Sequence, residues 1–135
     1  MNNNIFKILE YFYYFSLVIL FILYLYPGSL IGYLFYGNLS QQPDLISNPI
    51  GTSINHLISF ICLSSLAFIV RVREKKFINS FQFLLFISIL LEIIHYFIPN
   101  RAFEYYDLFA NFTGVAFTYL VIQLILKVKK KYENI

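Results

Sequence analysis

The sequence predicts an all-α, polytopic membrane protein: a bundle of four transmembrane helices with both termini in the cytoplasm. Of the 135 residues, 59% are hydrophobic and 13% are charged, and the mean hydropathy is +0.69. An average soluble domain is nearer half apolar and a quarter charged, so a water-soluble fold of this length could not bury so much apolar surface. The apolar residues form four runs, and the basic residues lie almost entirely on one side of those runs. Lipid is therefore the expected solvent.

The four runs predict spans of about 6–26, 55–71, 81–98 and 107–126 within a single domain, 1–135. Each approaches the ~20 residues that cross ~30 Å of hydrocarbon. The first run ends in Tyr26-Pro27-Gly28 without the small-residue cleavage site of a signal peptide, which predicts a retained span. The connection that follows, P-G-S-L-I-G-Y-L-F-Y-G, favours a short amphipathic piece at the membrane surface.

The distribution of positive charge predicts the orientation. Basic residues occur at Lys7, between the second and third spans at 71–76, and after the fourth span at 127–131. The first long connection has no Lys or Arg, and the third holds Arg101 alone, so nine of ten basic residues lie on one side. By the positive-inside rule, that side is cytoplasmic, and the expected location is the inner (plasma) membrane. The Lys127–Lys131 run is interpreted as part of this signal, with a lipid or partner site as its alternative.

One stretch, E-I-I-H-Y-F-I-P-N-R-A-F-E-Y-Y-D-L-F-A-N, concentrates polar residues in this apolar chain. With the predicted topology, the candidate site residues reach one depth in the outer leaflet from three helices and a loop: His56, Glu92, His95, Arg101, Asp107 and Asn111. Ionisable groups inside a membrane are costly and mark functional sites by default. Pro99 is expected to end the third span, and Asp107 is expected at the N-cap of the fourth.

Several of these residues also have a purely structural interpretation. Asp107 could only cap its helix, and Arg101 could only neutralise Glu92 as a buried partner. Gly114 follows Asn111 on the same helix face, and Ala110-x-x-x-Gly114 is a pattern typical of close helix packing.

Metal and nucleotide sites are not predicted. The Glu92-x-x-His95 spacing occurs in di-iron bundles, but those need a second such pair and two further carboxylates. A zinc ion held by His56, His95 and an acid has suitable ligand types without a supporting spacing motif. The chain has no serine elbow, P-loop or dinucleotide fingerprint, and nothing in it indicates nucleic-acid binding. We therefore expect no cofactor.

The motif E-x-x-[Q/H]-x-F-x-P-x-R, followed by D-L-x-A-N-x-x-G at the start of the last span, resembles the VanZ-like family of small bacterial membrane proteins. The resemblance covers roughly residues 52–120, and the matching positions are Glu92, Pro99, Arg101, Asp107, Asn111 and Gly114, with His56 in N-H-L-I-S-F also fitting. His95 stands where the family often has glutamine, and Thr52 and Ser53 stand where it often has Asp-Lys. The family's founding member is associated with resistance to teicoplanin, an antibiotic that acts on cell-wall precursors outside the membrane. The resemblance implies a role at the cell envelope, and we do not extend antibiotic resistance to this chain.

Two functions from different classes follow. In the first, the outer-leaflet cluster binds or modifies an amphiphilic, lipid-linked or cell-wall molecule. Arg101 would bind a phosphate or carboxylate, and Asp107 and Asn111 would orient Arg101 or the head group. Glu92 would be the acid or base, with His95 or His56 as its proton partner.

In the second, the cluster only stabilises the bundle of a non-enzymatic structural or accessory subunit. Transport is weaker than either, because the sequence shows no polar path to the cytoplasmic side. The lipid bilayer is the one partner common to all three, and the oligomeric state stays open.

Overall fold

A computed structural model describes residues 3–44, 46 and 51–133, and the regular structure in these residues is entirely helical. Five α-helices follow one another along the chain: α1 Asn3–Leu25, α2 Leu30–Tyr36, α3 Ser53–Arg71, α4 Phe81–Ile94 and α5 Tyr105–Glu133. Short 3-10 turns, Phe77–Asn79 and His95–Phe97, precede and follow α4. The all-α prediction is confirmed, and each predicted span contains one helix.

The four long helices run in alternating directions around one core. His56, near the start of α3, contacts Tyr24 at the end of α1, Glu92 near the end of α4 and Asp107 near the start of α5. We call this the site end of the bundle. The opposite end, called the basic end, carries the 71–76 connection, where Lys76 pairs with acidic side chains. Neighbouring helices are therefore antiparallel, in the up-down arrangement that short connections favour.

Three helices, α1, α3 and α5, are long and apolar enough to cross a membrane. The apolar segment Phe81–Phe97, formed by α4 and its 3-10 turn, is shorter. On α1, one stripe of apolar side chains faces the core and another is exposed; the buried residues are Phe6, Tyr13, Leu17, Leu20 and Tyr24, and the exposed ones include Ile5, Ile8, Phe12, Phe15 and Ile22. Soluble monomers rarely expose continuous apolar faces of this kind, so the helices belong in hydrocarbon.

The closest helix packing lies between α3 and α5 at Gly114. A Cβ atom on Gly114 would lie 2.8 Å from the carbonyl oxygen of Leu57 and 2.9 Å from the Cβ of Phe60. Those distances are shorter than non-bonded carbon contacts allow, so only glycine lets the two backbones approach this closely. The predicted packing role of Gly114 is confirmed.

Two predicted helix ends differ from the structure. The α-helix of the third span ends at Ile94, and the chain continues through the 3-10 turn to Ile98, whose extended backbone is what a residue before proline adopts. Pro99 is therefore the fifth residue after the end of the α-helix. The last helix begins at Tyr105, so Asp107 lies within its first turn rather than at its N-cap. The acidic side chain still lies at the positive end of the helix dipole.

We expect Gly114→Leu to destabilise the protein by about 3 kcal/mol or more, because the new side chain must displace the α3 backbone. Thr113→Leu is the matched control, since Thr113 is the neighbouring, exposed residue of the same helix. It should change the free energy of unfolding by no more than about 0.5 kcal/mol. Thermal unfolding in detergent measures both variants, and equal melting temperatures would contradict the packing argument.

Candidate functional site

A buried polar network joins all four long helices at the site end, with Asn111 of α5 at its centre. The Asn111 Nδ2 atom donates to the Ser88 carbonyl oxygen at 3.3 Å and to Glu92 Oε2 at 3.4 Å. Its Oδ1 atom accepts from the Tyr24 hydroxyl at 2.7 Å. Every donor thus meets an acceptor, as a fully buried amide requires. Asn111 was predicted to share a face with Asp107, and the two residues are buried on the same side of α5.

His56 is held through both ring nitrogens. Its Nδ1 lies 2.8 Å from the Tyr24 hydroxyl oxygen and 3.2 Å from Asn111 Oδ1. Its Nε2 lies 3.3 Å from Asp107 Oδ2. The other Asp107 oxygen accepts the Ser53 hydroxyl at 2.5 Å. These contacts hold the His56 imidazole of α3 between α1 and α5, with the Asp107 carboxylate at one ring nitrogen and the Tyr24 hydroxyl at the other.

His95 and Glu92 form a second pair of buried polar side chains. The Nε2 atom of His95 lies 3.1 Å from the Tyr24 backbone oxygen, an acceptor only, so this nitrogen carries hydrogen. The other nitrogen, Nδ1, lies 3.3 Å from Glu92 Oε2, and a hydrogen bond between them needs one more proton on either atom. Glu92 Oε1 accepts the backbone N–H of Glu104 at 3.1 Å. The predicted i, i+3 pairing of Glu92 and His95 is therefore present.

Arg101 lies at the site end with the other candidates, and its guanidinium binds backbone carbonyl groups. Its Nη2 donates to the Leu23 carbonyl oxygen at 2.5 Å, and its Nε donates to the Tyr26 carbonyl oxygen at 3.4 Å. The last carbonyl groups of a helix have no partner within the helix, so Arg101 and His95 satisfy those at the end of α1. Burial lowers the pKa of Arg101, and the nearby Tyr24, Glu92 and Asp107 oppose that shift.

Neither of the two side-chain contacts considered for Arg101 is present. Among the residues that the structure describes, Arg101 forms no ion pair with Glu92 or Asp107. Asp107 and Asn111 also contact His56 and Glu92 rather than orienting Arg101. The physical reason is the position of the 98–104 loop, which passes over the end of α1, where unpaired backbone carbonyls are the nearest acceptors.

A cavity of about 350 Å³ opens at the site end, directly above the network. It is called the cleft below. Its lining is mostly polar and consists of Gly28, Ser29, Leu39, Ser40, Gln42, Thr52, His95, Asn100, Arg101, Ala102, Glu104 and Asp107. His95 and Asp107 thus connect the buried network to the opening. Burial, together with the charges of Asp107 and Glu92, raises the pKa of Glu104.

Helix α2, the short helix that the sequence predicts as an amphipathic piece, is flanked on both sides by residues that line the cleft. The Ser29 side chain caps it by accepting the Gly32 N–H at 2.9 Å. A Cβ on Gly32 would lie 1.5 Å from the Gln41 carbonyl oxygen, so glycine is required for the loop to fold back here. The outward face of α2 exposes aromatic side chains, at Tyr33, Phe35 and Tyr36.

Sequence reasoning missed two members of the network, Tyr24 and Ser53. Tyr24 is one of 12 tyrosines in a chain that also has 16 phenylalanines, so its identity carried no signal. The position of Tyr24 in the sequence did carry a signal. Tyr24 is near the outer end of the first predicted span, level with the other candidate residues. Ser53 stands at the position where the VanZ-like motif often has lysine, and a hydroxyl there binds Asp107 without adding charge.

No protein-family model, curated protein or solved structure matches this chain. The resemblance to the VanZ-like family rests on the motif residues quoted above and stays a prediction.

Proposed function

We propose that the chain is a VanZ-like, multi-pass protein of the inner membrane, with four spans and both termini in the cytoplasm. Three long apolar helices and the shorter Phe81–Phe97 segment support the span count. The basic residues of the 71–76 and 127–131 segments support the orientation, because they lie toward the basic end of an antiparallel bundle. In this orientation the site end and its cleft face the outside of the cell.

Reporter fusions test this topology. Alkaline phosphatase folds only outside the cytoplasm, so we expect a fusion after Ser40 to be active and a fusion after Lys75 to be inactive. A green fluorescent protein fusion at the same two points should give the reverse pattern. Activity of the phosphatase after Lys75 would overturn the orientation.

We propose further that the cleft binds the head group of an amphiphilic cell-envelope molecule. The observation that carries this proposal is the cleft's position: a mostly polar opening lies above a buried ionisable network and beside the exposed aromatic face of α2. Aromatic side chains are enriched at membrane–water interfaces. A second cavity, of about 80 Å³, shares Ser29, Gln42 and Arg101 with the cleft and adds the apolar side chains of Leu23, Leu30 and Ile31. Together the two cavities suit a molecule with a polar head and an apolar tail.

Arg101 favours an anionic head group. Its guanidinium has five N–H groups, and the α1 carbonyls use two of them. Burial disfavours the positive charge and lowers the pKa, so a phosphate or carboxylate oxygen at Arg101 would restore favourable solvation. Hydroxyl and amide side chains, among them Ser40, Thr52 and Asn100, line the remainder of the cleft. The substrate class is therefore an amphiphile with an anionic, hydrogen-bonding head group.

If the bound molecule is modified, His95 is the residue that exchanges a proton with it. His95 lines the cleft, and its Nδ1 lies 3.3 Å from Glu92 Oε2 behind it. A histidine between an opening and a buried carboxylate is a common arrangement for general acid–base catalysis. His56 likewise lies beside a carboxylate, that of Asp107, but His56 is buried below the cleft and does not line it.

Filling the cleft tests the binding proposal. Ala102 is exposed, lines the cleft and makes no side-chain contact with the network, so Ala102→Trp should block binding and leave the fold intact. Native mass spectrometry with a polyprenyl phosphate should show at least about tenfold weaker binding to this variant. Val72→Trp, at the basic end, is the matched control, because Val72 is equally exposed and lies far from the cleft. Equal affinity of both variants would contradict the proposal.

The second candidate function, a structural or accessory subunit, is favoured by one observation: Arg101 and His95 satisfy the carbonyl groups at the end of α1. Glu92→Gln separates the two functions. Glutamine keeps an oxygen for the Glu104 N–H and an amide that can donate to His95, and it gives up only the long 3.4 Å hydrogen bond from Asn111 Nδ2. We therefore expect a loss of less than about 1.5 kcal/mol in the free energy of unfolding and a loss of function. A loss of about 3 kcal/mol or more would identify Glu92 as part of a structural ion pair and favour the subunit.

A further inference from the structure

Two carboxylates are buried at the site end without a permanently positive partner. Glu92 is fully buried and Asp107 is 6% exposed. Within the part of the chain that the structure describes, no Lys or Arg forms an ion pair with either of them, and the lysine pairs lie at the basic end. Buried carboxylates need compensation by protons, cationic side chains or a metal ion. Arg101 acts on both carboxylates without forming an ion pair, so protons on the histidines and carboxylates, or a bound cation, supply the remaining compensation.

We propose that His56, Glu92 and Asp107 form a binding site for a single divalent transition-metal ion of the Zn²⁺ type. One nitrogen of His56 and one oxygen from each carboxylate lie within 4.8 Å of one another. In a tetrahedral site with bonds of about 2.0 Å, the ligand atoms lie about 3.3 Å apart. The 3.3 Å separation of His56 Nε2 and Asp107 Oδ2 already fits this value. Glu92 Oε2 lies 3.9 Å from the other ring nitrogen of His56, Nδ1, so the Glu92 carboxylate must move toward the Nε2 side for all three residues to bind one ion.

The groups around the three ligands are those that a metal site uses to hold its ligands in place. The Nδ1 of His56 faces two oxygen atoms, of Tyr24 and Asn111, which leaves Nε2 free for an ion. The second oxygen of Asp107 accepts the Ser53 hydroxyl. Metal-binding histidines and carboxylates usually carry such outer hydrogen bonds, which fix their orientation. The network is therefore arranged as an outer shell around three converging ligands from α3, α4 and α5.

This ligand set differs from the zinc set weighed from the sequence, which used both histidines. The ring centroids of His56 and His95 are 6.5 Å apart, and the Nε2 of His95 binds the Tyr24 carbonyl. His95 instead supports Glu92 from behind, at 3.3 Å. One imidazole with two carboxylates suits Zn²⁺, Co²⁺ or Mn²⁺ better than a thiolate-seeking ion. Three protein ligands leave one coordination position of a tetrahedral ion open.

Metal binding is measured with the full chain, free of affinity tags, in detergent. Isothermal titration with ZnCl₂ should give one ion per chain, and Co²⁺ should produce the visible absorption of a four- or five-coordinate site. X-ray absorption on the Zn²⁺-loaded wild type should show nitrogen and oxygen ligands and no sulfur, which excludes the exposed Cys62. This measurement needs no variant and keeps the proposal testable if a substitution prevents folding.

Variants then identify the ligands. His56→Gln and Asp107→Asn should each lower Zn²⁺ affinity by more than about 100-fold, and His95→Gln by about 10- to 100-fold as an outer-shell residue. Glu74→Gln is the control: a carboxylate at the basic end, paired with Lys76 and remote from the ligand set, expected to keep wild-type affinity. Absence of Zn²⁺ binding by the wild type, a sulfur ligand, or unchanged affinity in folded Asp107→Asn would each overturn the proposal.

The metal site stands independently of amphiphile binding. Ala102→Trp should leave Zn²⁺ affinity unchanged, because the variant fills the cleft and not the network. If this variant loses the lipid and keeps the ion, both proposals are supported. If the wild type binds the ion but not the polyprenyl phosphate, the proposed function fails and the metal site remains.

Discussion

The amide of Asn111 makes hydrogen bonds to α1 and α4 and contacts His56 of α3, from a position with no access to solvent. In hydrocarbon, a polar group without a partner costs several kcal/mol, so each helix must bring its polar atom to this point. An apolar bundle alone has little to distinguish one rotation of a helix from another, because lipid and core are equally apolar. The hydrogen-bonding requirement of Asn111 therefore sets the rotation of the helices around it.

The polar network around Asn111 can form only if α3 and α5 approach each other closely. Gly114 lies one turn beyond Asn111 and removes the side chain that would separate the two backbones. Asp107 and His56, which lie on these same helices, then come within 3.3 Å of one another. The packing of α3 against α5 therefore sets the geometry of the site. A side chain at Gly114 would separate the two helices and change the distance between His56 and Asp107.

The end of α1 shows how structural and functional roles coexist in the same residues. His95 and Arg101 satisfy carbonyl groups of Tyr24 and Leu23, which have no helical partner. These bonds hold the imidazole and the guanidinium in place at the floor of the cleft. Positioning of this kind is what a binding site needs, since an ordered side chain loses less entropy when a ligand arrives. Helix capping therefore supports the proposed site as well as the fold.

Hydropathy and charge along the chain were enough to predict the helical membrane class and the four helices, because each is a sum over neighbouring residues. Helical periodicity also predicted the buried face that Asp107, Asn111 and Gly114 share. The hydrogen-bond partners of the polar side chains were not predictable in this way. Arg101 binds a carbonyl group of α1 instead of Glu92. Tyr24 and Ser53 belong to the network although the sequence analysis did not predict them.

These contacts depend on the distances and rotations between helices that are far apart in sequence. The sequence by itself determined the membrane class, the helices and the buried polar face of α5. Only the tertiary structure decided which polar atoms pair. A hydrogen bond requires two atoms to lie within about 3 Å of each other, whereas the hydrophobicity of a segment does not fix the position or rotation of its helix to that precision.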